Sequence, residues 1–383
     1  MRYRELGNTG LLVSEIGMGC EGFSENNCAM TKELFDLAER EGINYFDLYA
    51  SDPKLRSAVG NALEGRREKI MIQSHICSVW KNGQYLRTRN LAKVKEGFSE
   101  MLSLLKTDYI DVGMIHYCDA EKDWQEILDN GILDYARELK AKGLIRHIGL
   151  SSHNPIVARK AVESGNIEVL MFSVNPVYDL QPPTENVDDL WADDVYKKTY
   201  MNMDPDRQRL YEVCQSRGVG ITVMKCFAGG DLLNAELSPA GAALTPAQCI
   251  HYCLTRPAVS SVLVGYDTPE HVREAVAYET ASDAEKDYAS VLASAPKHAF
   301  STGQCTYCGH CQPCPVGIDI AMSNKLYDLA AMQPEVPASL KAHYLELSPN
   351  AADCIACGGC ESRCPFGVKV IEKMDAAREL FGL

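Results

Sequence analysis

The sequence predicts a (β/α)8 barrel followed by a small, cysteine-rich helical domain. Three observations lead to this prediction. Between about residues 14 and 280, short apolar segments alternate with segments of helical periodicity. The chain has 383 residues, which is long enough for one barrel and a small second module. Eight of its 16 cysteines lie between Cys305 and the end of the sequence.

The barrel prediction rests on eight candidate strands. Each is short and almost uniformly apolar, which suits a parallel sheet covered by helices better than an exposed antiparallel sheet. The candidates are Glu15–Gly19, Asn44–Leu48, Ile70–Ser74, Ile110–His116, His147–Ser151, Val169–Val174, Gly220–Lys225 and Ser260–Gly265. Eight strand–helix units in about 280 residues predict the TIM barrel within the α/β class.

Local signals place three further segments. A turn at Gly7–Gly10 predicts a hairpin of Tyr3–Leu6 with Leu11–Val13 ahead of the first barrel strand. Apolar residues at helical spacing predict a helix across Leu91, Val94, Phe98, Met101 and Leu105. Residues 175–206 form one long connection after the sixth strand, which is either a functional lid or a surface excursion.

Composition and charge exclude several classes of protein. No stretch approaches 18 consecutive apolar residues, and the first residues do not resemble a signal peptide, so we expect a cytoplasmic protein. The formal net charge of −14 argues against a general nucleic-acid binder, which needs excess positive charge. Sixteen cysteines without an export signal indicate metal binding rather than a disulfide framework.

We predict a domain boundary near Ser294–Lys297, with the barrel at residues 1–295 and the second domain at 296–383. Three apolar stripes at helical spacing predict helices in the second domain. They are Ile318, Met322, Leu326, Leu329; Val336, Leu340, Tyr344, Leu347; and Ile371, Met374, Ala377, Phe381.

The cysteines of the second domain fall into two groups. The first is Cys305, Cys308, Cys311 and Cys314, and the second is Cys354, Cys357, Cys360 and Cys364; a proline follows each fourth cysteine. Three thiolates spaced by two residues can serve three iron corners of one cubane cluster, and the fourth cysteine then binds the other cluster. The predicted ligand sets are therefore Cys305, Cys308, Cys311 with Cys364, and Cys354, Cys357, Cys360 with Cys314.

A pair of structural zinc sites is the alternative interpretation. Zinc sites are usually built from two separated pairs of cysteines rather than from a triplet. The spacing of two residues before Cys314, where the bacterial pattern has three, departs from the two-cluster motif.

Thirty-nine residues with two helical stripes separate the two cysteine groups, and this region resembles the α-helical ferredoxin domain. The barrel region resembles the aldo-keto reductases in three stretches: GINYFD at 42–47, DYID at 108–111 running to His116, and GLIRHIGLS at 143–151. The whole chain is similar to aldo-keto reductases with a C-terminal ferredoxin-like domain. That resemblance implies two 4Fe-4S clusters that relay single electrons.

The resemblance also implies where the catalytic residues lie. The family uses an Asp, a Tyr, a Lys and a His at the mouth of the barrel. Asp47 and His116 match the family aspartate and histidine, whereas Asp52 stands at the tyrosine position and His75 at the lysine position. We expect an altered but active site, with His75 or Tyr49 as proton donor. Asp52 before Pro53 is alternatively a helix start.

The resemblance gives weak signals for a nicotinamide cofactor. Ser151 and Ser152 stand where the family holds the carboxamide with Ser-Asn, and Lys225 and Gly265 are the other candidate cofactor residues. Asp267 would repel the 2′-phosphate of NADP, so NADPH is disfavoured and any use of NAD(P)H stays open.

Four further cysteines end predicted barrel strands: Cys20, Cys77, Cys118 and Cys226. They are either reactive thiols or small buried residues, and for His153 we favour a core or capping role.

Three functions are compatible with these residues. The first is an iron–sulfur oxidoreductase that passes electrons between an external carrier, such as a ferredoxin or flavodoxin-type donor, and a small organic substrate such as a carbonyl compound. The second is an electron-transfer or scaffold protein with a degenerate barrel, and the third is a non-redox lyase or isomerase. No membrane or nucleic-acid partner is expected.

Overall fold

The computed structural model describes residues 1–25, 28–192, 200–238, 240–294, 298–299 and 303–383. Eight parallel strands close into a barrel, and neighbouring strands along the chain are hydrogen-bonded neighbours in the sheet. They are β3 (Ile16–Gly19), β4 (Tyr45–Leu48), β5 (Met71–His75), β8 (Ile110–Ile115), β9 (Ile145–Ser152), β10 (Val169–Ser173), β12 (Gly220–Met224) and β13 (Val259–Gly265). The prediction of a (β/α)8 barrel is confirmed, and all eight candidate strands are present.

Helices surround the barrel. They are α1 (Cys28–Glu41), α2 (Pro53–Ala62), α3 (Leu91–Leu104), α4 (Glu121–Asp129), α5 (Ile132–Ala141), α6 (Pro155–Glu163), α7 (Pro205–Arg217), α8 (Pro246–Thr255), α9 (Pro269–Val276) and α10 (Ala289–Ser294). Five of them have proline in the first turn after a residue whose side chain accepts a backbone N–H, which is a favourable helix start.

Two hairpins close the ends of the barrel. The predicted hairpin forms from β1 (Tyr3–Glu5) and β2 (Leu12–Ser14) at the amino-terminal end of the barrel strands. A second hairpin of β6 (Ser78–Lys81) and β7 (Gln84–Arg87) follows β5 at the opposite end, which is the mouth of the barrel. This second hairpin was not predicted from the sequence.

The core has two layers. Inside the barrel, apolar side chains pack with Tyr45 and with Leu6 from the first hairpin. Outside it, a larger apolar cluster joins strands and surrounding helices and continues into the second domain. None of the helices in the described parts of the chain has the length and hydropathy of a membrane-crossing segment.

The long connection after β10 begins as packed structure. Residues 175–181 are all buried, and the Asn175 side chain donates to the Lys225 carbonyl oxygen over 2.9 Å. Asp179 is fully buried and accepts hydrogen bonds from the hydroxyls of Tyr211 and Tyr252 over 2.5 and 2.7 Å. Residues 193–199 of this connection lie outside the described residues. A short parallel pair joins β11 (Tyr200–Met201) to β14 (His298–Ala299).

The second domain is helical. Its elements are α11 (Ile320–Ala331), α12 (Ala338–Glu346), α13 (Gly359–Arg363) and α14 (Val370–Phe381). Helices α11, α12 and α14 follow the three predicted stripes. The predicted boundary between residues 295 and 296 lies outside the described residues.

The second domain packs against the side of the barrel and towards its amino-terminal end. The Met203 amide donates to Gln304 Oε1 over 2.9 Å, and Arg209 donates to the Met332 carbonyl oxygen over 3.0 Å. Arg256, which precedes β13, donates to the Thr306 carbonyl oxygen. Since β13 begins at the amino-terminal end of the barrel, this contact lies away from the mouth. Met203 lies two residues before α7 begins, at the mouth end of that helix, so the contacts of the second domain run along the side of the barrel.

Candidate active site and cysteine pockets

Four side chains at the mouth of the barrel form an unbroken chain of hydrogen bonds. Asp47 is the next-to-last residue of β4, and its Oδ1 lies 3.1 Å from His75 Nε2 at the end of β5. The Nδ1 atoms of His75 and His116 are 2.7 Å apart, and His116 Nε2 is 2.7 Å from the hydroxyl of Tyr85. Each strand carries its functional residue at its carboxyl end, so the barrel closure brings the three strand residues together.

The exposed fraction of the side chains rises at the end of this chain of hydrogen bonds. Asp47, His75 and His116 are 3%, 2% and 7% exposed, whereas Tyr85 is 43% exposed. Tyr85 comes from β7 of the second hairpin and covers His116 from the solvent side. The tyrosine hydroxyl is therefore the member of the chain that a molecule entering the mouth meets first.

A second polar layer lies beneath Asp47 inside the barrel. Gln73 donates to Asp47 Oδ1 over 2.7 Å, and its Oε1 accepts from the hydroxyls of Tyr45 (2.8 Å) and Thr222 (3.1 Å). Gln73 and His75 are two residues apart on β5, so both side chains point to the barrel interior. The two donors orient the Gln73 amide, which in turn fixes the position of the Asp47 carboxylate.

His116 is held in its neutral form. Burial, the neighbouring His75 and the positive charges of Arg89 and Arg87 together hold the pKa of His116 well below its ordinary value of 6.5. A neutral imidazole has one N–H donor and one acceptor nitrogen. His116 can therefore accept a proton at one nitrogen while it releases one from the other.

Tyr49 contacts the same histidines but points elsewhere. Its ring stacks on His116 at a centroid distance of 5.9 Å, and its hydroxyl donates to Glu21 Oε1 over 2.7 Å. Burial and the Glu21 carboxylate raise the pKa of Tyr49 above its ordinary range. The structure thus brings Tyr49 next to the site, with its hydroxyl directed to Glu21.

Asp52 is engaged in helix formation. Its Oδ1 accepts the backbone N–H of Lys54 over 2.8 Å at the start of α2. This is the contact that the helix-start interpretation expects. The described contacts do not join Asp52 to Asp47, His75 or His116.

The predicted cofactor residues are separated around the mouth. Ser151 Oγ accepts the Tyr117 N–H over 2.8 Å, and Ser152 Oγ donates to Asp119 over 3.1 Å. Lys225 has a positive φ of 60° and its ammonium lies 5.0 Å from the centre of the Trp191 ring. Gly265 is exposed at the end of β13.

His153 belongs to a second buried acid–histidine pair. Its Nδ1 is 2.9 Å from Asp119 Oδ2, and its backbone N–H donates to Asp119 Oδ1 over 2.6 Å. Burial alone would raise the pKa of Asp119, but these bonds and the charge of His153 lower it below its ordinary value. The pair joins the ends of β8 and β9 across the loop that carries Tyr117.

The four cysteines at the strand ends are all buried. Burial raises the pKa of every one of these thiols, to about 12 for Cys226. Since the thiolate is the nucleophile, a raised pKa lowers reactivity at neutral pH. These values favour the interpretation of Cys20, Cys77, Cys118 and Cys226 as small core residues.

The cysteines of the second domain line two separate pockets. Cys305, Cys308, Cys311 and Cys364 line the first, together with Phe366 and Val368. Cys354, Cys357, Cys360 and Cys314 line the second, together with Ile318 and Met374. In each pocket the fourth cysteine comes from the other sequence group. The exchange of fourth ligands stays a prediction.

The donor chemistry of these pockets fits iron–sulfur clusters. Each pocket offers four thiols in an apolar lining. Asn324 Nδ2 lies 3.5 Å from Cys305 Sγ, and the Val368 N–H lies 3.4 Å from Cys364 Sγ, so N–H groups point at two of the sulfurs. In the described parts of the chain, no group of three or more His, Cys, Asp or Glu side chains lies close enough to hold one metal ion.

Three residues of this site were not predicted from the sequence: Tyr85, Gln73 and Thr222. Asn82 and Gly83, both with positive φ, form the two-residue turn between β6 and β7, and Asn-Gly is the strongest short hairpin signal. That dipeptide indicated a hairpin after β5. Nothing local indicated that Tyr85 would reach His116, because this contact spans 31 residues and depends on the barrel.

This chain is similar in sequence to known protein families and to individual proteins. The Aldo/keto reductase family profile matches residues 15–243, and a 4Fe-4S dicluster domain profile matches residues 304–368. An uncharacterized oxidoreductase of Bacillus subtilis, YqkF, is 29% identical over 290 residues, which cover 72% of this chain and 90% of that protein. The L-galactose dehydrogenase of Arabidopsis thaliana is 26% identical over 309 residues, covering 72% and 88%.

Solved structures agree with the barrel. An aldo-keto reductase of Bacillus halodurans, in its holo form, superposes with a TM-score of 0.58 at 24% identity, covering 75% of this chain and 94% of that one. A likeness at this level of identity concerns the fold.

Proposed function

The chain belongs to the aldo/keto reductase family and carries a 4Fe-4S dicluster domain, so it is an iron–sulfur oxidoreductase, and we propose that it passes electrons between an external carrier and a small organic substrate at the barrel mouth. The observation that carries this proposal is the chain of hydrogen bonds from Asp47 to Tyr85. It gives the mouth a proton path that ends on a partly exposed hydroxyl.

The proton path has a definite direction when the site is loaded. The path begins with a proton on each ring nitrogen of His75, and the Asp47 carboxylate accepts a hydrogen bond from Nε2. His75 then donates from Nδ1 to His116 Nδ1, and His116 donates from Nε2 to the oxygen of Tyr85. The Tyr85 hydroxyl gives its proton to the substrate oxygen and regains one from His116. One proton leaves His75 for each one delivered, and His75 ends neutral.

This arrangement replaces the Tyr and Lys of the family. His75, at the lysine position, takes part as the proton source, and Tyr85 from the second hairpin takes the role of the acid. Asp52 is left out of this proposal because its carboxylate caps α2. Reduction of a carbonyl also consumes two electrons and a second proton, which reaches carbon from water. The clusters, when bound, supply electrons singly.

Exposure favours the second pocket as the entry for electrons. In the second pocket, Cys357 is exposed, and Ile355 beside it is 61% exposed. In the first pocket, Thr306 is only 1% exposed, and its carbonyl oxygen accepts a hydrogen bond from Arg256 of the barrel. An exposed apolar residue beside a cluster ligand suits transient docking of a carrier protein. We propose a ferredoxin- or flavodoxin-type donor at the second pocket and the first pocket as the inner station.

An anaerobic reoxidation experiment tests the proposal. The holoenzyme is reduced with dithionite, freed of excess reductant, and mixed with a panel of small aldehydes, ketones and quinones while the visible cluster absorbance is followed. We expect at least one carbonyl compound to reoxidise the clusters in wild type and not in Tyr85→Phe. Reoxidation by carrier proteins alone would support a scaffold instead, and turnover independent of cluster state would support a lyase or isomerase.

NADH and NADPH form a separate arm of this test. Reduction of the clusters by either nucleotide would add a nicotinamide site at the mouth, near Ser151 and Ser152. Because both serine hydroxyls already have partners at Tyr117 and Asp119, we expect neither nucleotide to reduce the clusters.

A further inference from the structure

The second hairpin brings two arginines to the mouth of the barrel beside Tyr85. Arg87 lies two residues after Tyr85 on β7, so both side chains leave the same face of the hairpin. Arg89 follows this strand and donates to the Tyr117 carbonyl oxygen. The formal net charge of the chain is −14, so two positive charges at the solvent end of the proton path run against the overall balance.

The Arg87 guanidinium lies over the ring of Tyr117, the residue that follows His116. Its central carbon is 4.3 Å from the centre of that ring, which in turn lies 6.2 Å from the centre of the His116 ring. Burial raises the pKa of Tyr85, and the positive charge of Arg87 acts against this shift. Burial lowers the pKa of His116, and the Arg87 charge adds to that shift. Arg87 therefore lies close to both partners of the last hydrogen bond in the proton path.

The hydrogen-bond donors of Arg87 are available to a ligand. Its side chain is 40% exposed, and no hydrogen bond from its guanidinium is found among the described residues. Its ionic partner, Asp123 Oδ2, is 3.8 Å from Nη1, which is beyond hydrogen-bond distance. That oxygen already accepts the backbone N–H groups of Asp119 and Ala120, each over 3.1 Å. A guanidinium with free N–H groups binds a carboxylate through two parallel hydrogen bonds.

We propose that the substrate at the mouth is a short oxo acid, with its carbonyl oxygen at the Tyr85 hydroxyl and its carboxylate bound by Arg87. This inference rests on the proposed function and names the class of its substrate. Alternate residues of a strand are only about 7 Å apart, so few bonds separate the carbonyl from the carboxylate. Because Arg89 is engaged with a backbone carbonyl, the hairpin offers one free guanidinium. A single positive charge matches a carboxylate better than a phosphate ester, which carries about two negative charges.

The carboxylate keeps its bonds during the reaction. The carbonyl double bond becomes C–H and O–H, which takes up two electrons from the carrier and two protons, one from Tyr85 and one from water. The product is the corresponding hydroxy acid. Arg87 therefore acts on the position of the substrate, and its removal should affect acids and neutral carbonyl compounds differently.

Pairs of acids and esters test this inference. Pyruvate, acetoacetate and levulinate, each beside its methyl ester, are mixed with prereduced anaerobic holoenzyme, and the rate of cluster reoxidation is followed at low and high ionic strength. We expect at least one acid to react about 10–100-fold faster than its ester at low salt. Added salt should reduce this advantage, because the guanidinium is partly exposed.

Substitutions of Arg87 assign the preference to this residue. Arg87→Gln should lower kcat/KM for the acid about 10–100-fold, mainly through KM, and should change the ester much less. Arg87→Lys should keep part of the preference, because an ammonium retains the charge without the planar fork. Arg40→Gln is the matched control and should keep the wild-type preference. Arg40 is exposed in the last turn of α1, at the end of that helix away from the mouth.

Three results would overturn the inference: equal rates for acids and esters in wild type, a preference for acids that survives Arg87→Gln, or a preference that is lost equally in Arg40→Gln. The first comparison uses wild type alone and holds even if a variant does not fold.

Failure of the proposed function has a different sign, namely that neither acids nor esters reoxidise the clusters. Titration of the oxidised holoenzyme with the same three acids then decides whether the carboxylate site exists. The readout is tryptophan fluorescence, to which Trp80 contributes because it pairs with Tyr85 across the hairpin. Saturable binding that weakens in Arg87→Gln would support a carboxylate site at Arg87, and absence of saturable binding would overturn it.

Discussion

Tyr85 is the residue on which the proposed proton path depends. Replacing it with phenylalanine keeps the ring against His116 and removes the hydroxyl of the most exposed of the four residues Asp47, His75, His116 and Tyr85. We expect Tyr85→Phe to fold normally and to lower the rate of cluster reoxidation by the carbonyl substrate by about 10²–10⁴-fold. Stopped-flow absorbance of the prereduced enzyme measures this rate.

Tyr109→Phe is the matched control for that substitution. Tyr109 lies between the guanidinium groups of Arg67 and Arg146, at 4.1 and 4.3 Å from its ring centre, and precedes β8 at the end away from the mouth. Its variant should react at the wild-type rate. Equal rates in Tyr85→Phe and wild type would exclude Tyr85 as the proton donor.

The depressed pKa of His116 makes stability depend on pH in a definite direction. In the unfolded chain this histidine takes up a proton near its ordinary pKa of 6.5, whereas in the folded protein it stays neutral well below that pH. The unfolded state therefore binds more protons as the pH falls below about 6.5. The free energy of unfolding decreases with acidification until the folded-state pKa is reached.

Urea unfolding of wild type and His116→Gln between pH 5 and pH 8 measures this dependence, using roughly the window set by the ordinary histidine pKa. Glutamine does not titrate, so the variant should lose part of the acid destabilisation. An identical pH slope in both proteins would contradict a neutral, buried His116.

At the scale of single residues, the strand ends were predictable and the side-chain partners were not. The sequence places Asp47, His75 and His116 at the carboxyl ends of apolar strands, and barrel closure brings them together. The role of Asp52 could not be predicted in this way. A carboxylate one position before a helix can either cap that helix or belong to an active site. Its contact with the Lys54 N–H favours the capping role.

Helix α2 provides a test of Asp52. Asp52→Asn keeps a side-chain oxygen that can accept the Lys54 N–H, so we expect unchanged activity and nearly unchanged stability. Asp52→Ala removes the cap and should lower the free energy of unfolding by about 1 kcal/mol, again without loss of activity. Thermal unfolding and the reoxidation assay measure the two effects. Loss of activity in Asp52→Asn would return Asp52 to the catalytic residues.

At the scale of elements, the spacing of apolar residues predicts those strands and helices that have a buried face. All eight barrel strands and the helices α11, α12 and α14 of the second domain follow from runs and stripes of apolar residues. The hairpin of β6 and β7 does not, because it is a partly exposed insertion with no long apolar pattern. It is held by the loop after β4, where Ser51 Oγ donates to the Val79 carbonyl oxygen over 2.8 Å and Ser78 Oγ to that of Tyr49 over 2.7 Å.

At the scale of the whole molecule, the predicted exchange of fourth ligands between the cysteine groups has a spectroscopic consequence. If Cys364 serves the first pocket, Cys364→Ser must damage the same cluster as Cys308→Ser. Cys314→Ser must likewise resemble Cys357→Ser. Each variant should keep about four of about eight iron atoms.

Electron paramagnetic resonance of the four reduced variants distinguishes the arrangements. We expect two pairs of matching spectra, one for each surviving cluster. If Cys364→Ser instead matches Cys357→Ser, each cluster is held by its own sequence group. Colourless protein with bound zinc would remove the clusters from the proposal altogether.

The position of the second domain could not be predicted from sequence. The contact between Arg256 and Thr306 joins residues 50 apart, and the bonds from Arg209 and Met203 reach residues 123 and 101 positions away. Such pairings depend on tertiary packing, which local patterns do not encode. The cysteine spacing, by contrast, predicts which residues lie close together, because the ligands of a cluster must converge on one point.

The exposure of Cys357 and Ile355 on the second domain has a kinetic consequence. A docked carrier protein at Cys357 and Ile355 would leave the entrance over Tyr85 open to small molecules. Both reactants can then be bound at once, so a large carrier should not compete with the small substrate for access.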